Sequence, residues 1–266
     1  MTVGQDNQTN FAPTTAKMPD SDSTAPLQPT DCGDSVQYWE GISADIDGML
    51  GGITCVNKVD LQGSRSFLAK LGIGLKGGRR RVRSVLEFGA GRPSTTSNHA
   101  RGGGGGGNRI GRVTESLLLP IADQVDVVEP VAKFTAALQG KSGVRQVLNV
   151  RLEEWRPDEE LKYDLIWIQW CLCYVTDDQL VENLRRCKSA LEPRGIIVIK
   201  ENLSTIGMDM VDKSDSSLTR RREDEKFRDL FKQAGLRLTH TEMQKGFPET
   251  ATTKLLPVKM YALKSV

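Results

Sequence analysis

Hydrophobic positions are spread unevenly along the 266 residues of this chain. Across roughly the first 34 residues large apolar side chains are almost absent and Thr, Ser, Pro, Asp and Gln dominate. Such a stretch cannot offset its ordering entropy, so residues 1–34 are expected to form a disordered extension, with order beginning near Tyr38 and Trp39. From SVQYWEGI to SRSFLAKL apolar residues recur at helical spacing on either side of DGMLGG (Asp47 to Gly52). That pattern predicts a small helical layer over 35–75, folded around a turn.

After Lys76 the period shortens. The β-branched runs VRSVLEF, VDVVEP, RQVLNV, YDLIWIQW, GIIVIK, RLTHTEM and VKMYALK are separated by the amphipathic segments RVTESLLLPIA, VAKFTAAL, DDQLVENLRRCKSAL and TRRREDEKFRDLFKQAG. Strands alternating with crossover helices predict an α/β fold with a parallel sheet. Seven strands with a final antiparallel pair predict a doubly wound sheet, because the eightfold count of a barrel is not reached. In the last helix Ser216 or Ser217 is expected to cap the start and Gly235 to mark the end.

Composition changes this picture little. With 36 basic against 34 acidic residues the net charge is only +2, which excludes the general field of a nucleic-acid binder. The run KGGRRRVR (Lys76 to Arg83) reads as a solvated face and a weak nuclear address. No apolar run approaches the roughly 20 residues of a bilayer helix. The N-terminus lacks the pattern of a signal or transit peptide, so the expected address is the cytoplasm, with the nucleus second. Five scattered cysteines suggest neither a disulfide framework nor a metal site.

The chemistry is concentrated at strand ends. The first strand closes in Glu87-Phe88-Gly89-Ala90-Gly91, and the pattern resumes at Ile110-Gly111-Arg112. Joined across the gap these read GAGIGR, a GxGxG loop rather than the GxGxxG of dinucleotide enzymes. Strand two ends in Glu129, an acidic group able to accept hydrogen bonds from both hydroxyls of a ribose. Strand three is followed by Leu152-Glu153-Glu154-Trp155, where an adenine is usually held in this architecture. Three successive strand ends therefore fit one adenosyl ligand without a pyrophosphate, S-adenosyl-L-methionine.

The blocks YWEGISADIDGMLGG (Tyr38 to Gly52), RIGRVTESLLLP, YDLIWIQWCLCYVTD, LRRCKSALEPRGIIVIKEN and DKSDSSLTR (Asp212 to Arg220) closely resemble the alpha-N-terminal protein methyltransferases. The resemblance runs from about Tyr38 to the C-terminus. It implies a seven-stranded class I methyltransferase sheet with an N-terminal helical layer, S-adenosyl-L-methionine as cofactor, and substrates whose free amino ends begin Xaa-Pro-Lys, ribosomal proteins among them. It further implies cofactor contacts from Gly89, Gly91, Arg112, Glu129, Leu152, Glu153 and Gln169. The peptide would be bound by Trp39, Leu50, Gly51, Trp170, Tyr174, Asn202, Asp212 and Asp215. Nucleic acid and membrane have no place in that scheme. Three features depart from the family: Tyr174 stands where histidine is frequent, Glu153 replaces a more usual glutamine, and residues 92–109 interrupt the cofactor loop.

These residue types suit amine methylation. The nucleophile must be neutral and in line, and an α-amino group titrates near 7.7 to 8.0, so a carboxylate has one loosely held proton to remove. Asp215 is the expected base, with Tyr174 less suited to that role than a histidine. Asp212 would make the pocket negative, Asn202 would hold the peptide end, and Trp39 and Trp170 would wall the channel. Helix capping by the two aspartates and ordinary core packing by the two tryptophans are the competing readings. The segment RPSTTSNHARGGGGGGNR (92–109) is expected to be a flexible excursion or a translated intron. Two rivals to the enzyme remain: a binding module disabled by the insert, and an RNA methyltransferase, prompted by KGGRRRVR and the Arg-Gly tract.

Overall fold

The computed structural model describes residues 32–42, 44, 56–90, 93–94, 109–206, 210–212, 219–247 and 255–266. At 32–34, 38, 93–94, 109–110, 210–212 and 219–221 only the backbone is described. A helix α1 (Cys32–Gly41) opens the chain, so helical structure starts several residues before Tyr38, inside the stretch expected to be disordered. Helix α2 (Val56–Lys70) follows, and the DGMLGG segment, where a turn is expected, lies outside the described residues.

The strands are β1 (Val82–Phe88), β2 (Pro93–Ser94), β3 (Arg109–Ile110), β4 (Ala122–Val128), β5 (Val144–Leu148), β6 (Tyr163–Gln169), β7 (Leu191–Asn202), β8 (Met210–Asp212), β9 (Thr219–Arg221), β10 (Leu236–Met243) and β11 (Val258–Ser265). Seven form one sheet in the order β10-β11-β7-β6-β1-β4-β5. β5, β4, β1, β6 and β7 run parallel, while β11 lies antiparallel between β7 and β10. This is the doubly wound arrangement the alternation predicts. The central strands read as apolar runs because helices cover both faces: β6 is buried along its whole length.

The connections depart from the sequence reading in specific ways. The segment after the cofactor loop forms a single π-helical stretch, Thr114–Leu118, in which the Leu119 amide donates to the Thr114 carbonyl. VAKFTAAL folds as two 3-10 turns, Ala132–Phe134 and Ala136–Leu138, rather than an α-helix. The remaining helices, α3 (Asp177–Ser189) and α4 (Asp224–Gln233), lie where the amphipathic segments predict them. α3 opens with a reciprocal cap: Thr176 accepts from the Gln179 amide, and the Gln179 side chain accepts from the Thr176 amide. α4 begins only at Asp224, so Ser216 and Ser217 do not cap it; Thr219–Arg221 pairs as β9 with β8 instead. Gly235 does end α4, in the left-handed conformation with φ 69°.

Two apolar clusters fill the two faces of the sheet. One gathers Phe88, Trp155, Ile166 and the inner side of α3 and α4; the other packs Phe67 and Leu68 of α2 against Val85, Val125, Trp167 and Met260. α2 thus seals one face of the central strands. The sheet's topology reverses between β1 and β6, since the chain runs outward from β1 through β4 to β5 and then returns to β6 and β7. Ligands in open α/β sheets bind in the crevice at the strand carboxyl ends beside such a switch.

Candidate active site at the switch point

Gly89 leaves β1 with φ 80°, and a Cβ there would stand 2.8 Å from the Gln169 carbonyl oxygen and 3.2 Å from Cys171 Cβ. Only glycine lets the ends of β1 and β6 approach this closely. Gly111, at φ 107°, meets the same demand from the other side, where a Cβ would press to 2.7 Å on Leu138. Between these glycines β2 and β3 pair Pro93 with Ile110 and Ser94 with Arg109, closing the base of the interruption. Gly91 and residues 95–108 lie outside the described residues. The loop's two ends therefore stay adjacent despite the intervening chain.

Arg112 follows, fully buried. Its Nη1 donates to Asp60 Oδ2 at 2.5 Å and to Asn57 Oδ1 at 3.2 Å, and its guanidinium carbon lies 5.9 Å from the Trp170 ring centroid. Nε and Nη2 have no hydrogen-bond partner among the described residues. A buried guanidinium left in that state is costly, and its donors fit a carboxylate such as the amino-acid end of S-adenosylmethionine. With the glycine cradle, this meets the chemistry of the cofactor the resemblance implies.

The other cofactor candidates line the same strand ends. Glu129 is nearly buried past β4, its Oε1 accepting from the Val131 amide at 3.1 Å. Leu152 is buried and its carbonyl accepts from Asn183 at 2.9 Å; the Glu153 carbonyl accepts from Arg186 at 2.7 Å. Gln169 closes β6. Its Oε1 accepts from Trp167 Nε1 at 3.0 Å and its Nε2 donates to both oxygens of Asp60, at 3.1 and 3.2 Å, so its amide is committed to the protein interior.

Of the peptide candidates, Trp170 meets Arg112 beside this crevice and Trp39 meets Tyr174. Trp170 stands immediately after β6 with φ 55°, a left-handed conformation that is strained for a bulky residue and common at functional sites. Trp39 of α1 donates from Nε1 to the Tyr174 hydroxyl at 3.0 Å and meets the rings of Tyr174 and Phe134 edge-on, with centroids 6.4 and 6.3 Å away. Lys133 donates to the carbonyls of Glu40 (2.5 Å) and Ile42 (2.6 Å), fixing the C-terminal end of α1 where a cation is favoured. Asn202 ends β7, and Asp212 ends β8 opposite Thr219. Leu50, Gly51 and Asp215 lie outside the described residues.

Several participants escape a reading of strand ends alone. Asp60, Lys200, Glu87, Glu201 and Arg222 are all buried. The signal for Asp60 was present: Asn57, Asp60 and Ser64 fall on the apolar stripe of α2 with Leu61 and Leu68, where polar residues need partners. Lys200 and Glu201 likewise close a run of aliphatic residues. Glu201 Oε2 accepts from the Leu172 amide at 3.1 Å. Glu87 accepts from Thr114 Oγ1 at 2.5 Å, and burial pushes its carboxyl up to about 8, against the opposing pull of Thr114 and Arg112. Burial also pushes the Cys171 thiol well above its ordinary range, which makes it a packing group against Gly89 rather than a nucleophile.

The basic run sits at the opposite, amino-terminal edge of the sheet. Arg80 and Arg83 pair with Asp164, Arg83 also with Glu192, and Arg81 with Asp123. Among the described residues no cluster of three or more His, Cys, Asp or Glu side chains could hold a metal.

Comparison with known proteins agrees with this geometry. The family model described as AdoMet dependent proline di-methyltransferase matches residues 30–100 and 92–264, two pieces that meet at the interruption. An alpha N-terminal protein methyltransferase 1 of Schizosaccharomyces pombe is 39% identical over 234 residues, covering 86% of this chain and 94% of its own. An N-terminal Xaa-Pro-Lys N-methyltransferase 1 of Danio rerio is 36% identical over 217 residues, covering 80% and 87%. A solved SAM-dependent methyltransferase from Leishmania major superposes with a TM-score of 0.70 at 34% identity, over 88% of this chain and 82% of that one.

Proposed function

The chain belongs to the AdoMet-dependent proline di-methyltransferase family, and from that membership we propose that it methylates the free α-amino group of proteins beginning Xaa-Pro-Lys, ribosomal proteins among them, in the cytoplasm and nucleus. Its cofactor is S-adenosylmethionine. When bound, that cofactor supplies an electrophilic methyl group on a sulfonium centre. The protein's task is to hold the acceptor amine neutral, in line and shielded from water.

The observation that carries the reading is the convergence, at one switch point, of a buried arginine with an unpartnered edge and an aromatic wall contributed by the N-terminal layer. Trp39, fixed by the Tyr174 hydroxyl and Phe134, offers the flat apolar surface that a proline ring and a methylated ammonium both suit. In this scheme the Tyr174 oxygen acts by orienting Trp39, since it already accepts a hydrogen bond from that indole. Asn202 holds the peptide end by hydrogen bonding, Asp212 draws in its positive charge, and Asp215 takes the single proton that separates an ammonium near pH 8 from a nucleophile. The reading also assigns Leu50 and Gly51 to peptide binding and Gly91 to cofactor binding, all three outside the described residues. The β2–β3 ladder favours a working enzyme over a binding module disabled by the insert, because it keeps Gly89 and Arg112 in one site.

A Ser-Pro-Lys peptide incubated with protein and cofactor should gain methyl groups by mass spectrometry, while the same peptide acetylated at its N-terminus should not. Methylation of the blocked peptide would defeat the proposed specificity, and full activity of an Asp215→Asn variant would remove that residue as base.

A further inference from the structure

Asp60 is held by Arg112, Lys200 and Gln169 beside the ends of β1 and β6. It lies on α2 with no exposed surface, and Arg112 and Lys200 are buried as completely. Lys200 Nζ sits 2.6 Å from Asp60 Oδ1 and also donates to the Asp60 carbonyl at 3.0 Å, Ser64 Oγ at 2.9 Å and Gln244 Oε1 at 2.8 Å. These contacts fix one oxygen of the carboxylate. Its other oxygen takes Arg112 Nη1 at 2.5 Å, and Gln169 Nε2 bridges both.

The consequence lies in which atoms of Arg112 are used. Asp60 and Asn57 both grip Nη1, so α2 consumes one corner of the guanidinium. Nε and Nη2, without a partner among the described residues, form its side edge, and their parallel N–H bonds make a fork matched to a carboxylate. The ion pairs point the same way: Arg112 and Lys200 share the one carboxylate of Asp60, and Asp60 reaches Arg112 only through Nη1. A buried guanidinium edge left without acceptors is expensive, so the fork calls for a carboxylate.

We infer that Asp60 is a positioning residue that aims the Nε/Nη2 edge of Arg112 at the carboxylate of the cofactor's amino-acid end, and so ties cofactor affinity to the helical layer. The inference rests on the proposed contact between Arg112 and that carboxylate. It assigns Asp60 no contact with either substrate.

The test compares two ligands that share the adenosine end. S-adenosylhomocysteine carries the amino-acid carboxylate, whereas 5′-methylthioadenosine lacks it. In Asp60→Asn, calorimetry should show S-adenosylhomocysteine binding weakened about tenfold or more, with methylthioadenosine within about twofold of the unaltered protein. Should that variant fail to fold, the double variant Asp60→Asn with Lys200→Met keeps the cluster's net charge and is judged identically. Parallel weakening of both ligands would reduce Asp60 to a structural residue and overturn the inference, as would no change in either. Arg112→Met, measured alongside, separates the two layers of the claim. If it discriminates between the ligands and the Asp60 variants do not, the inference fails while the cofactor site stands; if Arg112→Met does not discriminate either, the assignment of Arg112 fails and takes the inference with it.

Discussion

Glu87 shows how one buried atom sets a property of the protein. Its carboxyl titrates near 4.5 in an unfolded chain but near 8 in the folded one, because desolvation outweighs the Thr114 hydrogen bond and the Arg112 charge. Between those values the folded state holds a proton that the unfolded state has released. Stability of the ligand-free protein should therefore fall as pH rises from about 4.5 to about 8, by an amount on the order of a few kcal/mol, and level off above. Glu87→Gln keeps an acceptor for Thr114 and cannot ionise. Urea midpoints taken from pH 5 to pH 9 should show this variant overtaking the unaltered protein as pH rises, and a flat profile for the unaltered protein would contradict a proton on Glu87. The sequence quotes Glu87 directly before the glycine loop, yet nothing in the string reveals its isolation from water.

Among the elements, Arg222 ties the start of α4 to the segment that follows β6. It precedes α4, is fully buried, and donates to the carbonyls of Leu172 at 2.8 Å and Val175 at 2.6 Å, with Asp177 at 2.8 Å. The hairpin β8–β9 that carries Asp212 is thereby attached to the turn that carries Tyr174. Arg222→Met preserves the apolar stem but strands two buried carbonyls, each worth roughly 1–3 kcal/mol. Thermal unfolding should drop by several degrees, and peptide KM should rise with S-adenosylhomocysteine affinity unchanged. An equal loss of affinity for both ligands would show the hairpin to be a general strut. The cofactor loop obeys a different rule, that of chain closure. Since Ser94 already pairs with Arg109, replacing 95–108 by a two-residue turn should leave cofactor binding intact and raise stability by about 0.6 kcal/mol for each halving of the connection. Weaker cofactor binding in calorimetry would mean that the excised residues take part in the site. Helix length was poorly legible here: RVTESLLLPIA has the right period, but the covering of β1 by Leu117 and Leu118 needs only a short π-helical stretch.

For the whole molecule, polarity is divided between the two edges of the sheet. The amino-terminal edge carries the arginine run, in which Arg80, Arg81 and Arg83 pair with Asp123, Asp164 and Glu192, while the carboxyl edge carries the crevice. A ligand of the crevice stabilises the fold by mass action, about 2.7 kcal/mol at one hundred times its dissociation constant. S-adenosylhomocysteine should accordingly raise the unfolding midpoint in a concentration-dependent manner, and single-stranded RNA at the same excess should not. The reverse pattern would place the ligand at the arginine edge and defeat the reading.

Fold class, the seven strands of the main sheet and the Gly89, Glu129 and Gly111-Arg112 positions follow from the linear chain because they depend on local quantities: apolar period, backbone freedom and charge at strand ends. The family blocks add the substrate. Tertiary structure alone decided that Gln169 turns inward, that Arg112 keeps one edge unpaired and that Asp60 lies between two buried cations, since each depends on groups brought together from distant parts of the chain. Burial removes the water that would otherwise satisfy those charges. Which partner replaces it is a matter of three-dimensional packing, and no pattern along one dimension carries it.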